Sequence, residues 1–307
     1  MPPISPAEEA IAMTVDSHDE HYTDQYLAEA MHYLKAGIYD KIAEQLSLPN
    51  GSTHIDFGCG QGFLLHALRK RNPNVAYLGI EYNLHMIMKA VRHLAELNVP
   101  SRPHAEGYMK FENDMMEWEY PLDFAENPNL FRPGGPIRLI HADMRREELL
   151  QKLIGDRMID SATLTFHGAS GSSAFENEEQ PRHLIECMDC FRKKMFQLML
   201  EMRMTVHQFM SENTREGGEI VMVERDNGYV DIPESLDRVG KCKKYWEPQD
   251  PEIVSVELNG LSSGFMHHGQ TPEGGLKDIE FSPSGKKQAI IQKFTRNDIP
   301  YTHTTPS

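Results

Sequence analysis

Basic charge, cysteine and long apolar runs are what this sequence has least of. Its 31 Lys and Arg stand against 46 Asp and Glu, a formal net charge of -15. The phosphates of a nucleic acid would meet long-range repulsion unless a local basic patch overcame it, so nucleic acid is not the expected partner. The 4 cysteines, Cys59, Cys187, Cys190 and Cys242, are unevenly spaced and make no disulfide framework. No stretch approaches the roughly 20 apolar residues that cross a bilayer. The N-terminal residues do not join basic residues to an apolar stretch in the manner of a secretory leader. Together these absences point to a cytoplasmic protein with no membrane role.

A metal site is not expected either. Cys187 and Cys190, in "CMDC", resemble a metal or redox pair, but they fall within a predicted helix and no second Cys-x-x-Cys accompanies them. His267 and His268 are adjacent but lack a ligand set of characteristic spacing.

What is present suits one elaborated α/β domain in 307 residues. Residues 1–21 mix prolines and acids without period and read as an N-terminal arm. Tyr26, Leu27, Ala30, Met31, Leu34, Ile38, Ile42 and Leu46 recur at helical spacing, which predicts a helical cover over 22–50. Strand and helix patterns then alternate, the mark of a largely parallel sheet between helices. Strands are predicted near 53–58, 76–81, 137–143, 159–166, 218–225, 253–259 and 287–294, and helices near 62–71, 84–97, 146–152 and 182–213. The apolar run Met195, Leu198, Met199, Met202, Val206 and Phe209 reads as core packing.

Two stretches exceed what such a sheet needs. Residues 101–135 read as an insertion and a plausible homo-oligomer interface. Residues 227–250 carry Tyr229, Tyr245 and Trp246, the mix of a loop covering a ligand or of an ordinary surface excursion; Trp246 is a candidate acceptor contact. The domain is expected to span 22–300, with a tail at 301–307.

The informative stretch is "HIDFGCGQGF", His54 to Phe63, in which an apolar strand ends in an acid and three alternating glycines. At the carboxyl end of a parallel strand, backbone N–H groups gather at a helix N-terminus, and glycine lets a ligand approach the chain. A dinucleotide pyrophosphate calls for G-x-G-x-x-G. Here Gly58, Gly60 and Gly62 alternate, and Phe63 stands where the third glycine would be.

"DFGCGQG" resembles motif I of the class I S-adenosylmethionine-dependent methyltransferases, Asp/Glu-x-Gly-x-Gly-x-Gly. The likeness extends over about 22–294, excluding the insertion. It implies a Rossmann-like, doubly wound, mostly parallel seven-stranded sheet and S-adenosylmethionine as cofactor. It also implies cofactor contacts from Asp56, Gly58, Cys59, Gly60 and Gly62, from Glu81 and Tyr82 at the next strand tip, and from Asp143, Met144 and Phe166. Glu81 matches the acid that holds the ribose hydroxyls, and a carboxylate can accept both hydrogen bonds. Asp143 matches the acceptor for the adenine amino group, although a loop cap would use the same residue type. Asp56 matches the residue that fixes the elbow and meets the methionine ammonium, a cap being the alternative.

Methyl transfer from a sulfonium by in-line displacement needs positioning more than a protein nucleophile. After the fourth predicted strand comes "TLTFHGAS", without the Asn-Pro-Pro-aromatic signature of many amino-group methyltransferases. That counts against adenine in DNA and glutamine in proteins, and favours a small or medium-sized acceptor. His167 is a candidate general base or a strand-end hydrogen-bonding residue, and Glu224 a candidate acceptor contact or part of a solvated charge cluster. "EGG" stands where the family commonly has Pro-Gly-Gly. Two alternatives remain: a catalytically inactive protein that binds S-adenosylmethionine, and a nicotinamide-dependent oxidoreductase, which Phe63 disfavours.

Overall fold

A computed structural model of the protein describes residues 20, 23–24, 26–105, 108–112, 115–119, 130–165, 183–184, 187–226, 246–257, 266–270, 276–280 and 286–296. Residues 26–35 form a first helix, α1, which Gly37, in a left-handed conformation with φ 72°, turns into α2 (Ile38–Gln45). Strand β1 (Thr53–Phe57), helix α3 (Phe63–Arg71), strand β2 (Ala76–Glu81) and helix α4 (Leu84–Glu96) follow as successive strand–helix units. Next come β3 (Ser101–Ala105), a hairpin of β4 (Tyr108–Glu112) and β5 (Met115–Glu119), then β6 (Ile137–His141), α5 (Glu147–Ile154) and β7 (Ile159–Thr165). The chain continues through α6 (Met188–Asn213), β8 (Thr214–Asp226), β9 (Trp246–Pro248) and β10 (Glu252–Glu257). A hairpin of β11 (Met266–Gln270) and β12 (Leu276–Glu280) precedes β13 (Lys286–Arg296).

The main sheet runs β10-β13-β8-β7-β1-β2-β6-β3, with β9 added against β13. Strands β3, β6, β2, β1, β7 and β8 pair in parallel, whereas β13 lies antiparallel between β8 and β10. The sheet has nine strands where seven were expected, because the predicted insertion supplies β3 as an extra parallel edge and β9 adds a short edge piece. The strand order reverses between β1 and β7, so the carboxyl ends of these two strands flank the switch point where ligands of open α/β sheets bind, with the β2 tip next to β1.

The central strands are buried on both faces, and the alternation of side chains separates two cores. One gathers Ile55, Phe57, Leu78, Ile80, Ile140, Ala162 and Leu164 with Leu150 of α5 and Val206 and Phe209 of α6. The other gathers Tyr77, Leu139, Val221 and Val223 with residues of α1 to α4. Between these positions β1 and β7 bury a polar stripe of His54, Asp56, Ser161 and Thr163.

Gly79 faces α3 and the elbow across a narrow gap. A Cβ there would sit 2.7 Å from Leu65 Cδ1, 2.8 Å from Cys59 Sγ and 3.0 Å from Cys59 Cβ. Gly79→Ala is therefore expected to destabilise the fold by about 1–3 kcal/mol through overpacking. Denaturant unfolding with an unchanged midpoint would show that α3 moves outward at no cost.

Candidate cofactor and active site

The elbow after β1 consists of three turns that only glycine adopts readily. Gly58, Gly60 and Gly62 have φ of 69°, 50° and 75°, and Gly62 is the residue from which α3 starts. The N–H groups of Gly58 and Cys59 both donate to Ile80 O, at 2.8 and 3.1 Å, which ties the elbow to β2. Gly60 N donates to Glu81 Oε2 at 3.0 Å, and Asn83 N donates to Glu81 Oε1 at 2.9 Å. One carboxylate thus holds both the elbow and the turn into α4. Sequence reasoning placed Glu81 at the strand tip, but not as the tie between these two loops.

Helix α1 closes over this cradle. A Cβ on Gly60 would stand 3.4 Å from Tyr26 Cε1, so the Tyr26 ring lies against the elbow. Thr23 donates its hydroxyl to Asn83 Oδ1 at 3.2 Å, and Lys89 pairs with Asp24 at 3.1 Å. Both contacts join the N-terminal helical residues to α4. On the far side, Met144 Cε would be 3.9 Å from a Cβ on Gly58. Tyr82 is buried, its carbonyl accepting from His141 Nε2 at 2.7 Å.

Beneath the elbow runs a hydrogen-bonded chain invisible in the linear sequence. His54 Nδ1 is 2.8 Å from Ser161 Oγ, and His54 Nε2 is 3.1 Å from Thr163 Oγ1. Thr163 in turn donates to Asp56 Oδ1 at 2.7 Å. With the Thr163 proton directed to Asp56, its oxygen accepts from His54 Nε2–H, leaving Nδ1 to accept from Ser161. Burial pushes the His54 pKa down to about 3, so the ring is neutral at pH 7. Sequence reasoning missed His54, Ser161 and Thr163; a polar alternation in two otherwise apolar strands was the available signal.

Among the described residues, buried Asp56 Oδ2 has no hydrogen-bond partner, and neither has Gln61 Nε2 between Gly60 and Gly62. Burial, opposed by the Thr163 bond and reinforced by the charge of Glu81, pushes the Asp56 pKa up to about 7. Burial first, then Glu81 and Asp56, drives the Cys59 thiol well above its ordinary value, so it is not a thiolate nucleophile. A ligand bringing a cation to Asp56 and an acceptor to Gln61 would satisfy both orphaned atoms. The α-ammonium and α-carboxylate of an amino-acid moiety carry those two functions, so the residues present fit S-adenosylmethionine.

Asp143 is engaged locally. Its carboxylate accepts from Arg145 N at 2.9 Å and from the Arg145 guanidinium at 2.8, 3.0 and 3.1 Å. Phe166 and His167 lie outside the described residues, as do Tyr229, Tyr245 and Tyr22, the last a candidate lid contact together with Tyr26. Glu224 is in β8, its backbone opposite Ile290, and its side chain lies outside the described residues. Trp246 pairs through its backbone with Arg296, whereas β13 meets the carboxyl end of β8 at Gln288. That register sets Trp246 toward the end of the sheet away from the elbow.

Residues 48–101, which contain β1, the elbow, α3, β2 and α4, match the family model described as a methyltransferase domain. No curated protein matches the sequence. Solved structures with a similar course include precorrin-6y C5,15-methyltransferase from Geobacter metallireducens GS-15, at 11% identity over 83% of this chain and 86% of that one, with a TM-score of 0.42. Magnesium protoporphyrin IX methyltransferase from Synechocystis PCC 6803 with bound SAM is similar at 9% identity over 90% and 81%, with a TM-score of 0.41. An rRNA methylase from Streptococcus thermophilus is similar at 10% identity over 84% and 93%, with a TM-score of 0.39. These likenesses are too distant to carry an argument about the acceptor.

The match to a methyltransferase domain is confined to residues 48–101, the stretch that carries the elbow and the β1 and β2 tips of the open α/β sheet. No narrower subfamily is indicated. Among the described residues, no helix is long and apolar enough to cross a membrane.

Proposed function

We propose that the protein transfers a methyl group from S-adenosylmethionine to a small or medium-sized acceptor by in-line displacement. The observation that carries the reading is the unpartnered, buried Asp56 Oδ2 at the base of the glycine elbow, one strand from Glu81. When bound, the cofactor supplies a methyl group made electrophilic by its sulfonium. Asp56 and Gln61 would hold the amino-acid end, and Gly58 to Gly62 would admit it close to the backbone. Glu81 would accept from the ribose hydroxyls while keeping its bonds to Gly60 and Asn83. Asp143 would reach the adenine amino group only by sharing its carboxylate with Arg145. Tyr26 and α1 would exclude water from the elbow side. His167 as base and Glu224 as acceptor contact remain the candidates on the acceptor side.

The test is calorimetric titration with S-adenosylmethionine and its demethylated product, followed by incubation of the protein and methyl-labelled cofactor with fractionated small-molecule extracts. Binding of both compounds and label in a low-molecular-mass fraction are expected. Binding without any turnover would favour an inactive cofactor-binding protein. NAD binding in place of S-adenosylmethionine would overturn the reading.

A further inference from the structure

The cysteine pair set aside on spacing alone stands differently in three dimensions. Cys187 is not inside the long helix but caps it, its Sγ accepting from Cys190 N at 3.3 Å. One turn earlier, His183 O accepts from Cys187 N at 2.8 Å. This turn brings residues 183, 187 and 190 to one side of the chain, because positions three and four apart share a helical face. The ligand atoms of His183, Cys187 and Cys190 all lie within 4.8 Å of one another. His183 is exposed and the two cysteines are half-buried, so solvent and ions have access.

From this cluster we infer that His183, Cys187 and Cys190 form a redox-gated binding site for a zinc-class divalent cation. The site is distinct from the cofactor cradle and does not depend on the methyl-transfer reading. The structure holds the closed form, in which Cys187 and Cys190 are joined as a disulfide. A disulfide accounts for the two cysteines but gives no reason for the imidazole within reach of both sulfurs. Reduction by a dithiol delivers two electrons and two protons to the sulfur pair, breaks the S–S bond and leaves the reductant as its own cyclic disulfide. The two thiols and one imidazole nitrogen then face the same point. Donor atoms around a tetrahedral zinc stand about 3.5–3.8 Å apart, which small rotations of these side chains reach. Binding displaces the two thiol protons, and water completes the fourth position. The excess of acids, at a net charge of -15, favours a cation over an anion at any exposed site.

The experiment uses the full chain, reduced with a dithiol, freed of reductant under anaerobic conditions and titrated with Co²⁺ and then Zn²⁺. One equivalent of Co²⁺ should bind, with tetrahedral visible bands and a sulfur-to-cobalt charge-transfer absorption, and Zn²⁺ should displace it. The oxidised protein should bind no Co²⁺ with these bands, a comparison that requires no variant to fold. Cys187→Ser with Cys190→Ser should lose the signal although Cys59 and Cys242 remain, and His183→Ala should weaken binding by about tenfold or more. Absence of stoichiometric binding by the reduced protein would overturn the inference. So would equal binding by the oxidised form or the double serine variant, or a His183→Ala affinity equal to that of the unaltered chain.

Discussion

Titrated with S-adenosylmethionine over a series of pH values, the protein should bind about tenfold more tightly for each unit by which the pH rises toward about 7, then level off. The carboxyl of Asp56 is fully buried, and its pKa rises from 3.8 to about 7 because burial penalises its charge. Below that value the cofactor-free protein therefore holds a proton on Asp56. A bound ammonium beside Oδ2 favours the carboxylate, so binding releases the proton and gains affinity as pH rises. The histidines in this region do not blur the window: burial pushes His54 to about 3 and His141 to about 4. Asp56→Asn should bind more weakly above neutral pH and show no such slope. Calorimetry in buffers of different ionisation enthalpy would count the proton released, and a flat profile for the unaltered protein would separate Asp56 from the ammonium.

The same group has the opposite effect on the stability of the cofactor-free fold. Its native pKa is raised, so the native state holds a proton that the unfolded chain gives up above about 3.8. Stability should fall as pH rises from that value to about 7 and be insensitive to Asp56 above it. Asp56→Asn should flatten this part of the unfolding midpoint's pH dependence.

The second large effect is expected at Glu81. Glu81→Ala should weaken S-adenosylmethionine binding at least about tenfold, since a carboxylate's charge-assisted bonds to two hydroxyls contribute roughly 1.5–3 kcal/mol each. It also leaves the N–H groups of Gly60 and Asn83 without the acceptors that hold them at 3.0 and 2.9 Å, so a modest loss of thermal stability should accompany the loss of affinity. Glu81→Gln keeps one acceptor oxygen and should lose less. Because the Glu81 charge helps raise the Asp56 pKa, Glu81→Gln should also move the pH profile of cofactor binding to lower pH. Unchanged affinity in both variants would remove Glu81 from the ribose position. An unchanged midpoint would show that the two carboxylates do not sense each other.

Local pattern was enough to find the elements that carry the cradle. The strands at 53–57 and 76–81 and the helices at 63–71 and 84–96 follow from apolar period, glycine and flanking turns, all within a few residues of one another. The glycine elbow was legible for the same reason, since Gly58, Gly60 and Gly62 are required by the φ of single residues. Glu81 was legible because it closes a strand whose neighbour ends in that elbow.

The remaining features depend on which distant strands become neighbours. His54, Thr163 and Asp56 form one chain because β1 lies beside β7, a pairing between residues 107 apart that no local period encodes. The extra edge strand β3 arose within a stretch read as an insertion, because an open parallel edge at β6 accepts any segment able to pair with it. Trp246 was separated from the acceptor side by the register of β9 on β13, which side-chain type does not specify. His183 joined Cys187 and Cys190 because one helical turn ends where the long helix begins, a boundary set by backbone capping rather than by cysteine spacing. Local residues were enough for the glycine elbow, where a few adjacent positions must adopt particular backbone shapes. Contacts across the sheet came from burying two apolar faces at once, and that constraint acts on the whole chain.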